Sequence, residues 1–312
     1  MKDFMLIPET HTRVFTGNRD YFVSDFDSLQ EFYDFVDKYE KDYCIEKASH
    51  NHKIEFNGTK NFEEARKLAR VTGDLDSLKM LNFDDELELR KFAKGLSIEG
   101  LDVSLQTSGS YVDIDAYIQE QPECMAEFTE SYIPKFCDII INIAQSCGIS
   151  KDIIKQRGIT LFRLIDALEK ARIRTRIQLV WPLSDIYRDE DCSMSVLRVV
   201  CKDYGQVLNK EQLSFSICHA SFMRRFCFCH SEITSGFCSK DGANKTKKDL
   251  LQDILGVSEG YGCPNLIKHI PDEIWKPKNN SHIFLLDDVN VSDLEQLEQE
   301  VLKLIRKENK KW

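Results

Sequence analysis

CDIIINIAQSCGISKDIIKQRGITLFRLIDALEKARIRTRIQL, residues 137–179, decides the fold. Asp138 to Ile143 is a short run dominated by β-branched residues, which reads as a strand. Cys147, Gly148 and Ser150 break that run, and Ser150 is placed to cap a helix. From Lys151 to Arg172 the apolar residues Ile153, Ile154, Leu161, Leu164, Ile165 and Leu168 recur at helical spacing. Arg174 to Trp181 returns to strand chemistry. Strand, helix and strand in this order form a βαβ unit, the seed of an open α/β sheet, and such sheets place their sites at the carboxyl ends of strands.

Working outward, IQLVWPLSDIY (177–187) and SMSVLRVVCKDY (193–204) flank the polar turn RDEDC and predict an antiparallel hairpin. Gln212–Cys218 alternates apolar and polar residues and reads as a further strand; Ser221–Glu232 reads as a helix and 234–248 as a loop. Lys247–Leu255 predicts a short helix, EGYGCPN (259–265) a turn, His282–Leu286 a last strand and Ser292–Glu308 an amphipathic helix. Upstream, Asp27 or Ser28 caps a helix carrying Leu29, Phe32, Tyr33, Phe35, Val36 and Tyr39. Asn57-Gly58 is a turn, a second helix starts at Asn61, and a third amphipathic piece covers 83–94. The organisation expected is a helix-rich α+β region over 1–105, a bridge over 106–129 with a short helix near Ile114–Gln119, and an α/β domain over 130–312.

The 312 residues are 42% apolar and 30% charged, enough for a core and a well-hydrated surface. No apolar run approaches the ~18 residues that span a bilayer. The start, MKDFMLIPETHTR, lacks the apolar stretch of a signal peptide, so the chain is expected to stay in the compartment where it is made. The net charge of −10 disfavours a protein whose main task is gripping nucleic acid. Eleven cysteines, an odd number, point to reduced thiols packed as small hydrophobes.

The order of strand, long helix, hairpin, strand, helix, strand and helix is similar to a von Willebrand factor A-like, Rossmann-like domain. FNGTKNFEEARKLA (56–69), SGSYVDIDAYIQEQPECM (108–125), QRGITLFRLIDALEKA (156–171), CHASFMRRFCF (218–228) and GYGCP (260–264) also resemble an uncharacterised domain family of bacteriophages and their bacterial hosts. That resemblance implies a phage or mobile-element origin, in the bacterial cytoplasm or the virion, and carries no activity. Metal-binding A domains hold Mg²⁺ with Asp-x-Ser-x-Ser after the first strand. The matching positions are Asn142, Ala144 and Ser146, of which only the last fits, so no Mg²⁺ site is expected there.

Several groups could carry chemistry. Cys227, Cys229, His230 and Cys238 are a cluster of soft ligands, but their spacing is not the usual zinc knuckle, and on a helix Cys227 and Cys229 would point about 200° apart. His219 with Arg224 could bind phosphate or serve as a base. Arg157-Gly158, inside the long helix, is expected to allow close packing of helix on sheet, with Arg157 paired to Asp152 or Asp166. Asp113, Asp115, Glu120 and Glu123 form an acidic group, the ordinary chemistry of turns and helix faces.

No complete catalytic motif emerges and no cofactor is expected. The leading expectation is a non-enzymatic interaction protein that meets a protein partner, away from membranes, through Asn142, Gln145, Ser146, His219, Arg224, Arg225 and the 234–248 loop. A second reading is a single-strand nucleic-acid accessory factor using Arg224, Arg225, Lys245, Lys247 and Lys248. A third is an enzyme built on His219 and Arg224.

Overall fold

The computed structural model describes residues 10–16, 19–44, 48–50, 53–80, 99–109, 111–132, 136–170, 173–184, 194–240, 263–276 and 282–287. The expected 83–94 and 247–255 helices, the C-terminal helix and Lys245, Lys247 and Lys248 lie outside these residues. The βαβ unit forms as expected. Strand β6 (Phe136–Asn142) leads into helix α6 (Lys151–Lys170), and strand β7 (Arg174–Ser184) pairs in parallel with β6. Strand β8 (Met194–Lys202) runs antiparallel to β7 with a bulge between Ile177 and Gln178, giving the expected hairpin. On the other side of β6 lies parallel strand β10 (His282–Leu286).

Two N-terminal strands, β1 (His11–Thr16) and β2 (Arg19–Phe26), form a hairpin, and β2 pairs in parallel with β8. Strands from both sides of the boundary expected near 105 therefore share one sheet. Its order is β1-β2-β8-β7-β6-β10, with a two-residue strand β9 (Cys263–Pro264) added beside the end of β7. This is a mixed α/β fold.

Both faces of the sheet are covered, which is why β6 reads as an unbroken apolar run. Ile139 and Ile141 point into a large core with Leu179, Trp181, Leu197 and Val199; Ile140, Val180 and Val196 point into a smaller core with Ile267, Ile270, Ile274 and Trp275. The large core is roofed by helices. Helix α1 (Leu29–Tyr43) is capped by Ser28, whose hydroxyl accepts from the Glu31 N–H at 3.1 Å, and presents Phe32, Tyr33 and Val36 inward. Short helix α2 (Ile54–Asn57) ends at Gly58, whose φ of +81° is the left-handed conformation that glycine tolerates best. Helix α3 (Phe62–Lys67), capped by Asn61, continues as a π turn over Leu68–Thr72, and α4 (Leu75–Met80) follows.

Gln212–Cys218 is not a strand. It lies in helix α7 (Lys210–Cys218), whose N-cap Asn209 accepts from the Gln212 N–H. Every residue from Leu213 to Cys218 is buried, so the alternation of Leu213, Phe215 and Ile217 with serines does not mark one wet face. Ser214 and Ser216 donate back to the carbonyls of Glu211 and Leu213, which satisfies both hydroxyls inside the helix. A π-helical stretch, Phe222–Cys227, runs straight into helix α8 (Phe228–Lys240), so residues 234–240 are helix rather than loop.

Gly158 serves helix-on-helix packing of α6 against α7 rather than helix on sheet. A Cβ there would lie 2.5 Å from Cys218 Cα and closer still to the Ile217 carbonyl oxygen. In an open helix Gly→Ala gains about 1 kcal/mol. Here overpacking, worth about 1–3 kcal/mol and more when backbone is struck, reverses the sign. Gly158→Ala is expected to lower the urea unfolding free energy by about 2 kcal/mol; an increase would mean that α6 and α7 stand farther apart.

The expected bridge is a second, smaller sheet. Strand β3 (Glu99–Gln106), strand β4 (Tyr111–Val112) and strand β5 (Met125–Tyr132) pair antiparallel in the order β3-β5-β4, with helix α5 (Ile114–Ile118) between β4 and β5. This ribbon joins the main sheet at the amino end of β6, because β5 ends at Tyr132 and β6 begins at Phe136.

Candidate functional site

The carboxyl end of β6, where function was expected, is a closed polar knot. Asn142 is fully buried; its Nδ2 donates to the Asn265 carbonyl at 2.9 Å and to Asp287 Oδ1 at 2.8 Å, and its Oδ1 accepts from the Ala144 N–H at 2.9 Å. Asp287 also accepts from the N–H groups of Ile267 (2.6 Å) and Lys268 (2.8 Å). Asn265 reaches Ser184 Oγ at 3.3 Å and pairs with His269 Nδ1 at 3.0 Å. Arg157, inside helix α6, reaches this knot as well: its Nη2 donates to the Asn142 carbonyl at 2.7 Å. Gln145 is buried, and Ser146 Oγ accepts from the Gly148 N–H at 3.3 Å.

These bonds tie the ends of β6, β7, β9 and β10 together. An amide N–H₂ faces the Asp287 carboxylate at the end of β10. Each of these described bonds matches a donor to an acceptor. Asn142 and Gln145 are accordingly not a surface for a partner.

His219 caps the C-terminus of α7. Its Nδ1 accepts from the Ser221 N–H at 3.2 Å, its ring stacks on Phe215 at 5.3 Å, and Gly58 packs against its edge. Burial lowers its pKa, with Asp74 pulling the other way.

Arg224 and Arg225 are not surface residues either. They are 1% and 0% exposed and sit on the π-helical stretch. Arg224 donates to the carbonyls of Phe56 and Ile149 and lies over the Phe56 ring, 4.1 Å from its centroid. Arg225 Nε donates to Thr59 Oγ1 (2.6 Å), Nη1 to the Ser49 carbonyl (2.8 Å) and Nη2 to the Thr59 carbonyl (2.8 Å). Burial pulls the Arg224 pKa down to about 10 and lowers that of Arg225. Both guanidiniums stitch the 48–60 segment to the helix behind it, which removes them from phosphate binding, from partner contact and from chemistry with His219.

The soft-ligand cluster disperses. Cys227 is buried, its thiol pushed up by burial and by Cys201. Cys229 turns to Cys44, with the two sulfurs 3.1 Å apart. His230 stacks on His11 at a centroid distance of 5.5 Å. Cys238 falls in α8, beyond the side chains described.

Among the described residues, exposed apolar side chains are densest on the ribbon. Tyr111, Val112, Ile114, Tyr117 and Ile118 are 51–71% exposed within eight residues. Asp113 caps α5 by accepting from the Ala116 N–H at 2.9 Å. From Glu99 to Tyr132 the sequence carries Glu99, Asp102, Asp113, Asp115, Glu120, Glu123, Glu127 and Glu130 and no Lys or Arg. The acidic group noted in the sequence thus belongs to a longer segment of one sign. The signal missed was the apolar alternation of LDVSLQ and MAEFTESY, which marks two strands.

Among the described residues, fold and site together define an α/β protein whose strand ends are hydrogen-bonded to one another and whose exposed apolar side chains gather on an acidic antiparallel ribbon. The chain belongs to the family DUF7192, a domain of unknown function, which matches residues 10–309. No curated protein and no solved structure matches it. Among the described residues no helix is long and apolar enough to cross a membrane.

Proposed function

We propose that this chain is a non-enzymatic interaction protein of a phage or mobile element, acting in the bacterial cytoplasm or carried in the virion. Its A-like sheet serves as scaffold and the acidic ribbon as docking arm. The observation that carries the reading is the exposure of Tyr111, Val112, Ile114, Tyr117 and Ile118 on a segment with eight acids and no base. Tyr and apolar side chains presented this way are the usual anchors of a protein interface, and charge complementarity selects a basic partner surface. The A-like reading draws support from β10 lying beside β6, from the long crossover α6 and from the antiparallel β8, with Asn142, Ala144 and Ser146 where the metal motif would be. Single-strand binding is disfavoured, because the burial of Arg224 and Arg225 removes that patch and the ribbon repels phosphate.

The test is an affinity purification of the full chain from its host, nuclease-treated, alongside a Tyr117→Ser/Ile118→Ser variant. The expected result is a basic protein that co-purifies with the parent chain, elutes as salt is raised, and falls at least tenfold with the variant while the melting curve is unchanged. Equal recovery by both chains, nucleic acid as the co-purifying species, or self-association abolished by the variant would each overturn the reading.

A further inference from the structure

The buried thiol pair lies outside the docking arm and outside the strand-end knot. We propose that Cys44, Cys229 and Glu232 form a binding site for one divalent ion of the zinc class. One ligand atom from each of the three lies within 4.8 Å of the others. Cys229 and Glu232 are three residues apart on α8, so they share a face of the helix. Cys44 is delivered from the C-cap of α1, and its thiol also lies 3.6 Å from the Cys229 carbonyl. Two soft sulfurs with one carboxylate are a donor set that prefers Zn²⁺ to Mg²⁺ or Ca²⁺.

The spacing supports coordination over a cross-link. The sulfurs stand 3.1 Å apart. On one tetrahedral zinc with Zn–S bonds of ~2.3 Å they would stand ~3.7 Å apart, an opening of about 0.6 Å. A disulfide needs ~2.05 Å, a closure of about 1 Å.

The carboxylate is also held as ligating carboxylates are held. Glu232 Oε1 accepts from the Ser49 N–H at 3.1 Å and Oε2 from Ser49 Oγ at 2.5 Å. The Ser49 carbonyl is in turn fixed by Arg225. This outer support orients the ligand and gives a buried arginine a reason to be there. Both sulfurs are fully buried, whereas Glu232 is only partly so, which leaves the fourth tetrahedral position to a water reached from the Glu232 side.

For Cys44 the hydrogen bond from Cys229 favours the thiolate, but burial and Glu232 outweigh it and the thiol is pushed up. Burial first, then Cys44, Glu232 and Glu40, push Cys229 up as well. Both sulfurs are therefore protonated at neutral pH. Binding releases two protons as two S–H bonds give way to two metal–sulfur bonds, with no electron transferred, so affinity climbs as pH rises.

The experiment uses the reduced, chelator-treated full chain titrated with Co²⁺ as the spectroscopic probe. Expected is a thiolate-to-cobalt charge-transfer band in the near ultraviolet that saturates at one equivalent and is bleached by Zn²⁺. Cys44→Ser and Cys229→Ser should each remove it. Glu232→Gln, which keeps the shape and both thiols, should weaken Co²⁺ binding at least tenfold and serves as the check if a cysteine variant fails to fold. A thiolate band that persists in both cysteine variants would assign the ion to other cysteines and overturn the site. So would no band in the parent chain with all eleven thiols titratable, or a count two short from a disulfide. Equal partner capture by the parent chain and the Tyr117→Ser/Ile118→Ser variant, with intact Co²⁺ binding, would count against the docking arm alone.

Discussion

Acidification from pH 7 to pH 4 is expected to destabilise this protein by several kcal/mol, and His230→Phe should remove much of the loss. His11 and His230 lie stacked inside a shell of Phe22, Phe26, Phe32 and Phe35. Among the described residues neither ring nitrogen of His230, nor Nε2 of His11, makes a hydrogen bond. Burial pulls the His11 pKa down to about 4. Burial, with a smaller push from His11, holds that of His230 well below its usual value. The folded protein therefore keeps both rings neutral at a pH where the unfolded chain protonates them.

The unfolded state then binds more protons below about pH 6.5, so stability rises with pH through this window. The contribution is fully present above about 6.5 and lost as pH falls toward 4. For His11 the shift from 6.5 to about 4 amounts to roughly 3 kcal/mol. Glu40 acts in the same direction at still lower pH: burial opposes its ionisation, but His50 and Arg66 outweigh it and its pKa is lowered. The histidine variant separates the two. Urea unfolding at half-unit steps should give a flatter curve for His230→Phe between pH 6.5 and 4.5. Parallel curves for variant and parent would refute the account.

Arg225→Met is expected to cost about 3–5 kcal/mol, read as a fall of roughly 10 °C in Tm. Replacing a buried ion pair with apolar groups can be neutral when both partners go together. That route is closed here, because two of the three acceptors are the backbone carbonyls of Ser49 and Thr59 and remain after the substitution. Each buried polar group left unpaired costs about 1–3 kcal/mol. Differential scanning calorimetry of the parent and the variant checks this. A shift under 2 °C would mean that Arg225 is not the staple described.

The parts of the fold legible in the sequence were those where local pattern and burial agree. β6, α6 and the β7–β8 hairpin follow from β-branched runs and helical spacing that match their final surroundings. Helix α7 was misread because its period-2 alternation had no wet face behind it. The ribbon was read as a bridge because its strands are rich in acids, which strand propensities disfavour. Arg224-Arg225 looked like a surface patch because charge is usually solvated, and only the backbone carbonyls of Ser49, Phe56, Thr59 and Ile149 explain their place. Cys44 and Cys229 are 185 residues apart, and nothing in the spacing of the 227–238 cluster points to Cys44.

The pairing of β2 with β8 has a consequence for the chain as it is made. Tyr21 lies opposite Met194, so the first hairpin waits for 173 more residues before its neighbour in the sheet exists. At about 5–20 residues per second, that wait is roughly 9 to 35 s. During it β2 has one open edge and a face, carrying Tyr21 and Val23, whose core partners Ile140, Val180, Val196 and Ile267 are not yet all made. Nascent chains stalled before residue 194 should therefore recruit ribosome-associated chaperones, and those released after β8 has emerged should not.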